Sequence, residues 1–107
     1  MKLTAAILIA ATTFCHAAKD PARYESIRQE IRQAVARGNA YLQQQQKPEG
    51  FWDDGELPAF TALALNAAVR DPNLDKKSKL PAHLEKGFTW LIAQQKEDGG
   101  IYNRGLS

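Results

Sequence analysis

Two stretches, RGNAYLQQQQKPEGFWD at residues 37–53 and KGFTWLIAQQKEDGGIY at residues 86–102, align without a gap at an offset of 49. Arg37-Gly38 falls on Lys86-Gly87, Tyr41-Leu42 on Trp90-Leu91, Gln45-Gln46-Lys47 on Gln94-Gln95-Lys96, and Glu49-Gly50 on Asp98-Gly99. Two glutamine-rich helix ends could match by chance, but chance does not also align a glycine, an aromatic and an acidic-Gly pair. Self-similarity at a fixed period is the mark of a repeat architecture. The reading outward from this pair is therefore a helical repeat.

Each copy sits at the end of a helical pattern. Asp20-Pro21 is a helix start, with Asp as N-cap and Pro in the first turn. Tyr24, Ile27, Ile31, Ala34, Val35, Gly38, Tyr41 and Leu42 then recur at three- and four-residue steps, the period of one helical face. Glu25 is placed to pair with Arg28 or Gln29. The pattern predicts a helix to about Gln46, stopped by Lys47-Pro48-Glu49-Gly50. A second helix is expected over Leu57 to Val69, with Pro58 in its first turn. Its composition is apolar almost all round, which predicts burial on most sides. Asp71-Pro72-Asn73 ends it, and a polar connector with Lys76, Lys77 and Lys79 follows. Pro81 opens a third helix carrying Leu84, Phe88, Trp90, Leu91 and Ile92 to about Gln95. Alternation of an amphipathic and an all-apolar helix predicts two layers, amphipathic helices outside and apolar ones inside. One hairpin cannot cover its inner helix alone, so hairpins must stack.

The chain has 107 residues, with 14 Lys plus Arg and 12 Asp plus Glu, a formal net charge of +2. That allows one small domain. It argues against a dedicated nucleic-acid binder, which carries a basic face. Apolar residues at 44% and charged residues at 24% are ordinary for a soluble globular chain. A single cysteine excludes a disulfide framework and a multi-cysteine zinc site.

The first residues read as a secretory leader. Met1-Lys2 is a short positive start, and Leu3 to Phe14 is mostly apolar but too short for a bilayer, which needs about 20 residues. Cys15-His16-Ala17 offers small residues before a cut ahead of Ala18. The expectation is a signal peptide over 1–17 and a repeat region over 18–107, secreted or periplasmic. A buried N-terminal helix fits less well, because Lys19-Asp20-Pro21 restarts the chain with a polar break. Lipid anchoring at Cys15 fits poorly, since a bulky Phe14 precedes it. No transmembrane span is expected after the cut.

The run Arg37-Gly38, Tyr41-Leu42, then Gln45 or Gln46, then Gly50-Phe51-Trp52 resembles the QW repeat of squalene cyclases and protein prenyltransferases. The second copy reads Lys86-Gly87, Trp90-Leu91, Gln94 or Gln95, and Gly99-Gly100-Ile101-Tyr102, with Tyr102 near the place of the Trp. The resemblance covers about residues 23–107. It implies an all-α fold, a partial α/α toroid of about one and a half helical hairpins. It also implies that Gly38, Tyr41, Gln45, Gln46, Gly50, Trp52, Gly87, Trp90, Gln94, Gln95, Gly99 and Tyr102 are structural motif residues. An amide has donors and an acceptor to satisfy backbone groups at a neighbouring helix end. An aromatic ring shields that amide, and glycine permits the turn after the helix.

The family's chemistry does not carry over. The cyclases protonate an alkene with Asp-x-Asp-Asp, whereas Phe51-Trp52-Asp53-Asp54 lacks the first Asp and sits in the turn. The prenyltransferases hold zinc with Asp, Cys and His. Here Cys15 lies in the leader and only His83 remains beyond it, so three convergent ligands cannot be named. No catalytic residue, metal or cofactor is expected. Asp53, Asp54 and Glu56 carry oxygen ligands that suit calcium, but the expected reading is that Asp54 or Glu56 favours the N-terminal end of the second helix. His83 reads as a solvated surface residue, Trp52 and Trp90 as core rather than sugar platforms, and the lysines as a solvated loop. Residues 18–107 fall short of a closed toroid, and a truncated copy of a longer protein, or a unit that associates with others, is expected. Three functions compete: a scaffolding or binding repeat protein, the N-terminal piece of a toroid enzyme whose acids lie downstream, and a module that self-associates through its open repeat edge. No other partner follows from the residues.

Overall fold

The computed structural model describes residues 20–103 and 105. The leader expected over 1–17, with Cys15, lies outside the described residues. The described chain is all-α, with helices α1 (Pro21–Gln45), α2 (Pro58–Val69) and α3 (Ala82–Ala93) in that order. None of them is long and apolar enough to cross a membrane.

Local chemistry explains the starts. The Asp20 carboxylate accepts the Ala22 N–H at 3.1 Å, with Pro21 at the first position of α1. Pro58 opens α2 after Leu57 and Pro81 caps α3, neither with a side-chain cap. Proline suits these positions because its missing N–H is one of those left unpaired there. On α1 the Gln29 amide donates to Glu25 at 2.9 Å, and the Arg28 guanidinium lies 4.7 Å over the Tyr24 ring.

The core is small. Trp52, Ala64, Leu65 and Leu84 are buried together, and Ala68, Leu80, Phe88 and Leu91 pack around them. The core is therefore built from the loop after α1, one face of α2 and one face of α3. Two expectations change here. Helix α2 is not enclosed: Thr61, Ala64 and Leu65 face the core, whereas Phe60 is 42% and Leu63 65% exposed. Ile92 of α3 is also exposed. Helix α1 buries no residue at all. Its Val35, Asn39, Leu42 and Gln46 side is half-buried, while Tyr24, Ile27, Ile31, Ala34, Gly38 and Tyr41 lie open along a second stripe. The described residues hold no element against that stripe or against the outer face of α2.

A polar clasp joins α1 to the end of α2. Asp71 accepts the Asn39 amide at 2.8 Å and the Asn73 N–H at 2.8 Å, and the Asn73 amide donates to the Arg32 carbonyl at 3.1 Å. Partial burial works against the Asp71 charge, but these donors outweigh it and hold the carboxyl below the usual carboxylate range. Asn39→Ala should cost about 1 kcal/mol at neutral pH, the value of a hydrogen bond to a partly exposed charge. A depressed carboxyl stabilises the fold above its unfolded pKa, and that stability is lost as pH falls through the folded value. Urea midpoints of Asn39→Ala and the parent chain should thus converge as pH drops below about 4, the ordinary carboxylate value.

Candidate functional site

The loop after α1 is tied down by backbone, amide and indole hydrogen bonds. Gln46 ends α1 and pairs in a single antiparallel bridge with Trp52. The Lys47 N–H donates to the Phe51 carbonyl at 2.8 Å, and the Gly50 N–H to the Lys47 carbonyl at 2.9 Å. The Gln46 amide uses both hydrogens, one on the Gly50 carbonyl at 2.9 Å and one on the His83 carbonyl of α3 at 2.8 Å. One side chain therefore closes its own turn and ties that turn to the first turn of α3. Gly50 has φ +112°, and a Cβ there would stand 2.8 Å from the Lys86 carbonyl oxygen. Both the backbone angle and the approach of α3 exclude a side chain.

Trp52 is 5% exposed. Its indole N–H donates to the Leu42 carbonyl at 2.6 Å, one of the last four carbonyls of α1, which have no partner within the helix. Its backbone N–H donates at 3.0 Å to the hydroxyl of Thr61, which is fully buried on α2. Its ring lies under α3 at Gly87, where a Cβ would come within 2.9 Å of both Trp52 Cζ3 and Leu65 Cδ2. Trp90 of α3 meets the Phe51 ring at 5.1 Å between centroids, tilted by 39°. Trp52 and Trp90 are thus engaged with neighbouring elements.

The same bonds recur 49 residues on. The Lys96 N–H donates to the Gly100 carbonyl at 2.8 Å, the Gly99 N–H to the Lys96 carbonyl at 2.9 Å, and the Gln95 amide to the Gly99 carbonyl at 2.9 Å. Gly99 has φ +84°. Gln46 and Gln95 hold equivalent places in these turns. Their neighbours do not: Gln45 is exposed, and Gln94 donates to the Trp90 carbonyl at 3.2 Å within its own helix. Ile101 takes the register of Trp52 and is 41% exposed. Tyr102 is half-buried and donates its hydroxyl to Asp98. That bond, with the Gly100 N–H, holds the Asp98 carboxyl below its usual range.

Among the described residues, Gly38 and Tyr41 of α1, the counterparts of Gly87 and Trp90, touch no turn of this kind. A Cβ on Gly38 would meet nothing within 4 Å, and Tyr41 is 61% exposed.

The acids serve local geometry. Asp54 accepts the Glu56 N–H at 2.9 Å, and the Asn103 amide donates to the Glu56 carboxylate at 3.1 Å. Asp53 is exposed in the left-handed region at φ +60°. No acid lies in the first turn of α2, so the expected helix-start role falls instead to an Asx turn before it. Among the described residues no three His, Cys, Asp or Glu side chains stand together as a metal set. His83 is half-buried rather than solvated, and desolvation lowers its imidazole pKa. Lys76, Lys77 and Lys79 are exposed in their loop, as read from the sequence.

A groove of about 440 Å³ opens between the end of α1 and the outer face of α2, with Leu42, Trp52, Phe60, Leu63 and Ala67 on its walls and Lys47 and Asp53 at its rim. Sequence reasoning did not single out Thr61, Asn39 or Phe51. Thr61 had a signal: it is the one hydroxyl in an apolar run, and a buried hydroxyl needs a partner. Comparison with family models, with curated proteins and with solved structures finds no match to this chain.

Proposed function

We propose that this chain is an exported stack of helical-hairpin repeats, a segment of a terpenoid-cyclase-like α/α toroid, and that its role is structural or binding rather than catalytic. One observation carries the reading: the turns after α1 and α3 hold the same three hydrogen bonds at the sequence offset of 49. Of the residues that resemble the QW motif, Gln46 and Gln95 close those turns, and Gln46 and Trp52 bridge the first turn to α3 and α1. A residue so engaged positions neighbouring helices and has no group left for a substrate. Function on such a scaffold lives in grafted sites, and Asp54 and Glu56 beside the turn accept loop bonds.

A second reading has an observation of its own. The exposed Phe60 and Leu63 of α2 border the 440 Å³ groove, as the inner wall of a toroid enzyme would. In that case the chain is the N-terminal part of an enzyme whose catalytic acids lie in further sequence.

Two measurements on the purified chain test the proposal. Gln46→Leu should lower stability by about 1–3 kcal/mol, because the Gly50 carbonyl loses its amide donor inside the fold. Gln95→Leu should cost less, because among the described residues its amide reaches no second element. No product should form from squalene or from a prenyl diphosphate. Turnover that Asp54→Asn abolishes would overturn the structural assignment.

A further inference from the structure

We infer that the two edges left open by the described residues are the two halves of one interface, and that a second copy of this chain docks on each of them, head to tail. The template lies within the chain itself. Helix α3 seats on the turn over 46–52 through three features. Gly87 admits close approach to Trp52 and Gly50, the Gln46 amide donates to the His83 carbonyl at 2.8 Å, and Trp90 meets the Phe51 ring at 5.1 Å. A shift of 49 residues puts the counterpart of each half on an edge against which the described residues place no further element.

Helix α1 repeats the face of α3. Ala34 stands for His83, Gly38 for Gly87 and Tyr41 for Trp90, all three exposed. The absence of any atom within 4 Å of a Cβ on Gly38 contrasts with the tight contacts at Gly87. The turn over 95–101 repeats the receiving side. Gln95 closes that turn as Gln46 does, and among the described residues its amide has no second contact comparable to the one on His83. The nearest atom to a Cβ on Gly99 is the Gln95 amide of the same turn, at 3.8 Å, where Gly50 has the Lys86 carbonyl at 2.8 Å. Ile101 offers its apolar side chain where Trp52 offers a ring. Gly100 stands for Phe51, and the Tyr102 ring covers the place of its missing side chain, 2.5 Å from where a Cβ would be.

Docking α1 of one copy on the turn of another therefore brings the Ala34 carbonyl to the Gln95 amide, Gly38 over Gly99 and Ile101, and Tyr41 to Tyr102. The contact uses different surfaces on the two copies, so it builds a closed ring or an open chain rather than a two-fold dimer. It also covers the C-terminal half of the apolar stripe on α1, a patch of the kind that marks an interaction surface. The inference rests on the repeat reading above.

Sedimentation equilibrium with two edge-blocked variants tests it. The parent chain should show a mass that rises with concentration past that of a dimer. Gly38→Val blocks the helix edge and Ile101→Lys the turn edge, both at exposed positions, and far-UV circular dichroism should show unchanged helix content. Each variant alone should be a monomer. An equimolar mixture should form dimers of twice the monomer mass and nothing larger, since one open edge of each type is left. A parent chain that stays monomeric at several hundred micromolar overturns the inference. An Ile101→Lys variant that still dimerises alone also overturns it, by showing a symmetric α1–α1 contact. Either result leaves the repeat reading standing if Gln46→Leu destabilises the chain as stated.

Discussion

Trp52→Ala should unfold this chain or come close to it. The side chain is 5% exposed and is the one aromatic ring in a buried cluster of four residues, so its removal empties much of that core. Truncating a buried Trp costs about 3–5 kcal/mol. A whole domain is stable by about 5–15 kcal/mol, and a core this small belongs at the lower end. The variant should melt on the order of 20 °C below the parent, at the few degrees per kcal/mol of a domain this size. Trp52→Phe separates the two contributions. It keeps most of the ring against Gly87 but leaves the Leu42 carbonyl without its indole donor, a loss of about 1–3 kcal/mol. Lys77→Ala, on the exposed loop, should shift the midpoint by less than about 0.5 kcal/mol. Thermal unfolding followed by far-UV circular dichroism reads all three without relying on tryptophan fluorescence. Equal midpoints for Trp52→Ala and Lys77→Ala would show that the ring carries no packing.

The difference between what the sequence disclosed and what it did not follows the range of the interactions. Helix starts are local: Asp20-Pro21 and Pro81 mark α1 and α3 to within a residue. The turn bonds at an offset of 49 are also local, spanning four residues each, so the aligned Gln, Lys and Gly positions disclosed them. Which glutamine of each pair does the work was not legible, because Gln45 and Gln46 differ only in the side of α1 from which they leave. The roles of Thr61 and of the Leu42 carbonyl are tertiary, set by where α2 and the loop cross. The burial of α2 was overestimated for a related reason. Composition reports how much apolar surface a helix has, whereas exposure reports how much of it the described residues can cover. Two other helices and a loop cover one face and leave Phe60 and Leu63 open. The stripe on α1 is the same effect at larger scale: its period was readable and its lack of a partner was not.

That contrast between equivalent residues gives the second large effect. Gly87→Val and Gly38→Val place the same side chain on the same motif position of two helices. At Gly87 even a Cβ would stand 2.9 Å from Leu65 Cδ2 and Trp52 Cζ3 and 3.3 Å from the Gly50 carbonyl oxygen. The first two atoms belong to buried side chains of the core, and the third is backbone, so none can swing away as the tip of a surface chain would. Insertion into a filled site of this kind costs typically 1–3 kcal/mol and occasionally more. Valine's three carbons against three fixed neighbours put the expected value near 3 kcal/mol, at the top of that range. At Gly38 a Cβ would meet nothing within 4 Å, and the position is exposed. Helix propensity is the only term left, and Val and Gly differ there by a few tenths of a kcal/mol. Urea unfolding at low protein concentration, where copies are apart, should therefore show Gly87→Val strongly destabilised and Gly38→Val near the parent. If Gly87→Val unfolds at the parent midpoint, α3 does not rest on the turn over 46–52 as described, and the template for stacking is lost with it.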